Sequence, residues 1–514
     1  MALRIHPQAA WTTALAKVKA AVPEAFDARG QVLNLFDGRW QHAGRGRLVT
    51  SPLDGTELGL LPALDADTAQ RAVLAAAARA GEWAGVDLDR RRTRVMACVG
   101  QLREQRQLLA HLLAWEIGKP VAQALVEVDR CADGVAWYVD EIERMGRGRA
   151  PLGLVSNVAS WNYPLSVLVH AVLVQVLAGN AAIAKVPTEG GLHALTLAFA
   201  LARREGLPVS LVSGPGAALS APLVAHPAIA AVAFVGGKPT GRALARTLER
   251  SGKRFMLEME GVNAYGVWDF SDWGALEAQL HKGFAYGKQR CTAYTRFVVQ
   301  RALMPRFLEM HLRVLGGLRV GHPLAVRDDG EGLPDVDYAS LISARQVAEL
   351  DQKIDQAIAR GAVPLYRGEL DTDHLVPGQD ASAYLAPVAL LGVPRSSALH
   401  HAEPFGPVDS VVVVDSVPEL IAEMNVSNGA LVSSIATDDP ELARAVGREL
   451  RAFKVGHNQT RSRGDRAELF GGVGESWKGC FVGGELLVHA LTRGPSGERL
   501  HGNFEAYSQL PRAM

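Results

Sequence analysis

After Arg149 the chain keeps returning to one texture: LGLVSNVA (152–159), NAAIAKVP (180–187), LPVSLVSG (207–214) and IAAVAFVGG (229–237), each adjoining a segment of helical character. Apolar runs of this length suit strands buried on both faces, and the helices between them supply the crossovers that parallel strands require. The pattern predicts an α/β fold, a parallel sheet wrapped by helices. The last run leads into GGKPTGRALARTLE (236–249), a strand, a glycine-rich turn and a helix. That arrangement presents backbone N–H groups and a helix N-terminus to a phosphate. Yet Gly236 and Gly241 do not spell G-x-G-x-x-G, and Arg242-Ala243 stands where a P-loop has Lys-Ser/Thr, so a plain strand-to-helix turn remains open. A second series of strands and helices runs from about Asn263 to about Asn458.

Ahead of this region, residues 1–30 read as an amphipathic helix, followed by NLFDGRWQ and SPLDGTELG, strand-like runs broken by Asp-Gly turns. Residues 65–85, 91–118 and 120–145 place apolar residues at three- and four-residue spacing, which predicts three helices with Cys98 and Cys131 in their core faces. The membrane-like run PLSVLVHAVLVQVLAGNAAIA (164–184) is interrupted by His170, Gln175, Gly179 and Asn180, and reads as a helix buried between protein layers. At the other end, ELLVHALTR reads as a strand and GPSGERLHGNFEAYSQLPRAM as a polar tail packing on another subunit.

Lys plus Arg equals Asp plus Glu at 54 each, so no overall field favours nucleic acid or an acidic membrane, and a small-molecule partner is expected. The four cysteines lie far apart with no C-x-x-C, which fits neither a disulfide scaffold nor a thiolate zinc site and suggests a reducing cytoplasm. No signal-peptide core opens the chain. His400-His401 has no third ligand at useful spacing, and no metal is expected.

In GKQRCTAYTR (287–296) one cysteine, Cys291, sits between two cations and two hydroxyls. Taken alone it is either a reactive thiol or a small core residue. SWNYP (160–164), AKVP (184–187), FVGGKPTG (234–241), LEMEGVN (257–263), KQRCTA (288–293), AEPFGPV (402–408) and LFGGVGESWKG (469–479) decide between these, because their order and spacing resemble the NAD(P)-dependent aldehyde dehydrogenase superfamily over nearly the whole chain. The resemblance implies a Rossmann-like cofactor domain (1–135 and 151–258), an α/β catalytic domain (259–460) and a small oligomerisation arm (136–150 and 486–514), in a homodimer or homotetramer. It implies oxidation of an aldehyde to a carboxylic acid with NAD or NADP. Cys291 matches the nucleophile, Asn162 the oxyanion-stabilising amide and Glu258 the base that activates the deacylating water. Trp161, Lys185, Thr188, Gly214, Gly236, Gly237, Gly241, Glu403 and Phe405 fall at cofactor positions. Val167, His170, Arg290, Thr292 and Arg463 fall near the substrate tunnel, and Lys288 and Arg290 are placed to lower the thiol pKa.

Departures from the family pattern are concentrated around the cofactor. Glu260 and Val262 stand where glycine and lysine are usual, and Gly237-Lys238 replaces the usual Ser/Thr of the phosphate turn. Thr188 replaces a glutamate that repels the 2′-phosphate of NADP, so NADP is expected to serve as well as NAD, with Glu189 one residue further on. Arg461, Arg463 and Arg466 form either an anion-binding mouth or a solvated basic loop paired with Asp465 and Glu468. Two other readings stay beside the main one. Acyl transfer to coenzyme A is disfavoured by the presence of Glu258, and a non-catalytic cofactor-binding relative would account for Glu260.

Overall fold

Ala181–Lys185 is buried at every position, as a strand covered on both faces must be, and pairs in parallel with Leu154–Val158 on one side and Val209–Val212 on the other. Ile229–Gly236 and Arg254–Met259 extend the sheet beyond Leu154–Val158. In chain order these parallel strands stand third, second, first, fourth, fifth. Antiparallel strands complete a nine-stranded sheet, Asn34–Phe36 and Arg39–Gln41 at one edge, Trp477–Cys480 and Gly502–Asn503 at the other. The structure is a computed structural model describing residues 2–42, 44, 46–427, 429–463 and 466–504.

Helices cover both faces. Asp65 caps Ala66–Ala84 by accepting the Thr68 N–H at 2.7 Å, and the alanine-rich stripe of that helix packs on Ile183, Val232 and Leu257. Val121–Met145, His170–Leu177 and Leu192–Arg204 cover the opposite face within the larger core. Crossovers diverge between the first and fourth strands, so a crevice opens at their C-terminal ends, the usual place for a ligand in an open α/β sheet.

The chain then crosses from Arg254–Met259 directly to Asn263–Val267, a strand of a second, seven-stranded sheet. Tyr294–Gln300 lies beside it in parallel, and Val408–Val414, Val388–Leu391, Val432–Ala436 and Lys454–His457 continue the sheet on either side, with Val363–Arg367 antiparallel at one edge. The segment before Tyr294 therefore faces the crevice of the first sheet, and the α/β expectation holds for both halves.

Several boundaries differ from the sequence reading. The first helix spans only Trp11–Ala21, and Arg4–Ile5 pairs with Ala325–Val326, tying the chain start to the second half of the protein rather than to the 1–135 segment alone. Residues 136–145 continue the 25-residue helix Val121–Met145. ELLVHALTR is not a strand; Gly484–Leu491 is a helix burying Leu486, Leu487 and Val488, and a short apolar run cannot be told from a strand by periodicity. Thr492–Arg493 pairs with Ala150–Pro151, and Gly502–Asn503 returns to this chain's own sheet; residues 505–514 of the expected tail lie outside the described residues. The 164–184 run becomes a π-helical turn, Pro164–Val169, then His170–Leu177 and Ala181–Lys185, and no described helix is long and apolar enough to cross a membrane.

Candidate active site

Asn162 lies past the end of Leu154–Val158, at the crevice, and is only 5% exposed. Its Nδ2 donates to the Gln289 carbonyl at 3.0 Å, leaving the second amide hydrogen for another acceptor. Its own carbonyl accepts from Lys119 Nζ at 2.6 Å, and Lys119 is paired in the interior with Glu127, whose Oε1 accepts the Leu165 N–H at 2.9 Å. Lys119 Nζ also sits 3.8 Å from the centre of the Tyr163 ring. The family motifs assigned no role to Lys119 or Glu127, although opposite charges inside the apolar helical run KPVAQALVEV are a signal that each needs the other once buried.

Cys291 follows a backbone turn in which Tyr286, Gly287 and Lys288 all have φ near +60°, at 62°, 60° and 57°. Such positions cost a non-glycine residue about 1–3 kcal/mol and persist only where the surroundings enforce them. Here Lys288 Nζ is buried, donating to the Tyr294 carbonyl at 2.9 Å and pairing with Asp409, which also meets His311 Nε2 at 3.1 Å. Gln289 Oε1 accepts the Ile342 N–H at 3.0 Å, and Asn263 Nδ2 donates to the Cys291 and Ala293 carbonyls at 2.8 and 2.9 Å. The backbone carrying the thiol is thus held from both sides.

The Cys291 thiol lies within electrostatic reach of the Glu258 carboxylate. Burial first and the Glu258 charge second push its pKa well above the ordinary thiol value, with Glu403 adding and Arg463 opposing. The expected help from Lys288 and Arg290 is therefore corrected: Lys288 turns toward Asp409, and Arg290 is anchored to the Gly283 carbonyl at 2.6 Å. All four cysteines are free, and Cys291 is the one that is not fully buried.

Glu258, 2% exposed near the end of its strand, meets Arg463 Nη1 at 3.4 Å. Arg463 lies 5.2 Å over the Phe470 ring and keeps 31% of its side chain exposed. Both residues line a cavity with Val167, Leu168, Ala171 and Trp477. Of the expected tunnel residues, Val167 and Arg463 line it. His170 instead packs edge-on against Tyr138 at 5.6 Å, while Arg290 and Thr292 are not among its lining residues. Arg461 pairs with Glu468 at 2.7 Å and Arg466 with Asp133 at 3.3 Å, so neither neighbour of Arg463 points at Glu258; Asp465 lies outside the described residues.

On the cofactor side, the Trp161 and Phe405 rings meet edge to face at 5.7 Å, with Phe405 at φ 50°. Glu403 is 5% exposed, and neither carboxylate oxygen has a hydrogen-bond partner of good geometry, although the nearby Gly261 N–H favours its ionised form. Burial and the Glu260 charge push its pKa well up. Lys185 Nζ donates to the Val186 carbonyl at 2.9 Å, and its pKa is pushed down to about 8 by burial and by Arg47. The Arg47 guanidinium donates to the Thr188 carbonyl, while Glu189 is drawn to Arg345 at 3.7 Å.

The glycines divide by what a side chain would meet. A Cβ at Gly241 would lie 2.3 Å from Met259 Sδ, one at Gly236 would lie 2.7 Å from the Phe234 ring, and one at Gly214 would lie 2.9 Å from the Leu64 carbonyl oxygen. At Gly237, the N-cap of the helix Lys238–Leu248, the nearest atoms would be 3.8 Å away or more. An unpartnered buried carboxylate suits sugar hydroxyls, and a helix N-terminus with room beside Gly237 suits a pyrophosphate, so these residues fit a nicotinamide dinucleotide. Among the described residues no cluster of His, Cys, Asp or Glu could hold a metal ion, and the His400 and His401 rings contact each other at 4.7 Å.

A sequence model described as "Aldehyde dehydrogenase family" matches residues 40–493. A 4-(hydroxymethyl)benzenesulfonate dehydrogenase of Comamonas testosteroni is 30% identical over 473 residues, covering 88% of this chain and 94% of that protein. A 3-sulfolactaldehyde dehydrogenase of Pseudomonas putida is 27% identical over 464 residues, 86% of this chain and 92% of that one. Among solved structures, the NADP-dependent glyceraldehyde-3-phosphate dehydrogenase of Bacillus halodurans C-125, complexed with NADP, superposes with a TM-score of 0.81 at 27% identity, covering 90% of this chain and 98% of that one.

Proposed function

The chain belongs to the aldehyde dehydrogenase family and oxidises an aldehyde to a carboxylic acid with NAD(P)+, and from that premise we propose that its substrate carries an acidic group held by Arg463 while Cys291, Glu258 and Asn162 perform the chemistry. The observation that carries this reading is the contact of Glu258 with Arg463 at the cavity wall, with the Glu258 charge acting on the Cys291 thiol.

A thiol kept neutral by burial is a poor nucleophile, so its proton must leave as it attacks. The Glu258 carboxylate, whose charge acts on the thiol, is the acceptor in this reading. As Cys291 Sγ bonds to the carbonyl carbon, negative charge collects on the aldehyde oxygen. The unused Asn162 amide hydrogen is the side-chain donor for that charge. When bound, NAD(P)+ supplies the hydride acceptor. The Glu403 carboxylate would accept from ribose hydroxyls, and the Trp161–Phe405 edge would hold the nicotinamide end. Once the thiol proton has passed from Glu258 to solvent, the carboxylate takes a proton from the water that attacks the Cys291 thioester and returns it to the departing sulfur, releasing the acid and restoring the thiol. Acyl transfer to coenzyme A needs no such base, and a Glu258 carboxylate whose charge reaches the thiol favours hydrolysis.

Arg463 is the one arginine of its loop that meets Glu258 at the cavity, and both relatives are named for substrates that carry a sulfonate or sulfo group. With succinic semialdehyde as probe, Arg463→Gln should lose roughly 10–100-fold in kcat/KM, the worth of a hydrogen bond to a charged group. With butanal the loss should stay within about threefold, because a neutral substrate has no group to lose. Equal losses on both aldehydes would mean that Arg463 serves Glu258 and does not bind substrate.

For the cofactor, Arg47 and Lys185 place two cations near Thr188, and the pull of Arg345 on Glu189 offers no acid against a 2′-phosphate. NADP and NAD should support comparable rates. Arg47→Ala should lower kcat/KM for NADP about tenfold while leaving NAD within about twofold, and Thr188→Glu should shift preference toward NAD. A wild-type enzyme inactive with NADP would refute this.

A further inference from the structure

The helix Lys238–Leu248 begins at the crevice with Gly237 as its N-cap, so its own sequence provides no capping side chain and no acid in its first turn. The anion comes from elsewhere in the chain. Glu260, two residues beyond Glu258 on the segment joining the two sheets, accepts the Lys238 N–H on Oε1 at 3.0 Å, and its carbonyl accepts from Ser476 Oγ at 3.1 Å. Negative charge is favoured at a helix N-terminus, and a dinucleotide pyrophosphate would seek the same N–H groups. Glu403, buried and without a good hydrogen-bond partner, marks the same crevice as a place built for a polar ligand.

We propose that Glu260 is an internal anion that caps the helix Lys238–Leu248 in the free protein and is displaced when the dinucleotide pyrophosphate arrives, so that it sets cofactor affinity. The proposal rests on the cofactor reading of this crevice. Two negative groups cannot share one set of N–H donors in a partly buried site, so cofactor binding carries the cost of uncapping the helix and moving Glu260. Burial holds the Lys238 pKa below the ordinary lysine value while Glu260, Glu403 and Glu475 oppose that shift, and Arg242, one turn on, is held by Glu475 at 2.6 Å. The positive potential of this turn is thus already engaged by the chain's own acids. A glycine at 260, usual in the family, would leave the N-terminus open.

The test compares the intact chain with Glu260→Gln and Glu260→Gly, titrating each with NADH, NADPH and adenosine by calorimetry at one ionic strength, with circular dichroism to establish folding. Glutamine keeps an acceptor for the helix without the charge, so this variant reports on folded protein even if glycine destabilises the turn. Glu260→Gln should bind both dinucleotides about tenfold more tightly than wild type, and Glu260→Gly at least as tightly, the gain expected when a like charge leaves an anion site. Adenosine, which lacks the pyrophosphate, should bind all three proteins equally. Unchanged or weaker dinucleotide binding in both variants would overturn the role of Glu260 while leaving the cofactor site intact. Failure of all three proteins to bind either dinucleotide would overturn the cofactor reading and this proposal together.

Discussion

Replacing Cys291 by alanine is expected to reduce NADH formation to background, a loss of ~10⁴-fold or more, while NADH affinity stays within about twofold of wild type. The size of the effect follows from the chemistry: without sulfur no covalent adduct forms, and no other cysteine can substitute, since Cys98, Cys131 and Cys480 are buried. The backbone should stay in place. Asn263 holds the Cys291 carbonyl, and Lys288 and Gln289 hold the preceding turn through the second sheet and the Ile342 segment, none of them through the thiol. Cofactor affinity is the control that separates lost chemistry from lost structure. Steady-state absorbance at the NADH band measures the first quantity and calorimetry the second. Wild-type turnover in Cys291→Ala would remove the covalent mechanism altogether.

Glu258→Gln should separate the two half-reactions. Glutamine can still hydrogen-bond but cannot take a proton, so deacylation should slow by roughly 10²–10⁴-fold, the usual worth of a general base. If the acylation step finds another route for its proton, stopped-flow traces will show a burst of NADH equal to the enzyme concentration and then a slow steady state. Loss of the burst as well would mean that Glu258 is also the obligatory acceptor of the thiol proton. The same variant carries a pH signature. Burial and the Glu258 charge both hold the thiol pKa above its ordinary value, so removing the charge should lower it while burial persists. Because the thiolate is the reactive form, the midpoint of iodoacetamide alkylation at Cys291 should move to lower pH in Glu258→Gln than in wild type. An unmoved midpoint would show that the two groups are not coupled.

Some parts of the site were legible because they are local. The proposed nucleophile, base and amide are each spelled by a few adjacent residues; in the structure the Glu258 charge acts on the Cys291 thiol, and Asn162 donates to the carbonyl of Gln289, two residues ahead of that cysteine. Lys119 and Glu127 had to be found in the fold, since what fixes the Asn162 segment is a buried pair whose contacts run to residues more than thirty positions away. The three arginines of RSRGDR look alike in sequence, and packing alone assigns Arg463 to Glu258, Arg461 to Glu468 and Arg466 to Asp133.

By itself the sequence determined the α/β class, the two successive sheets and the order of the motifs, because apolar periodicity and turn residues act over spans of a few residues. It also marked Glu260 as a departure. Only the tertiary structure decided where that carboxylate goes, which charges neutralise one another, and that the thiol is pushed toward its neutral form rather than activated by the cations beside it in sequence. It decided too that ELLVHAL is a helix and that the chain start pairs with residues 325–326. The physical reason is common to all of these: burial and electrostatics depend on distances in space, so Lys288, three positions from Cys291, pairs with Asp409 while Glu258 from the other sheet acts on the thiol.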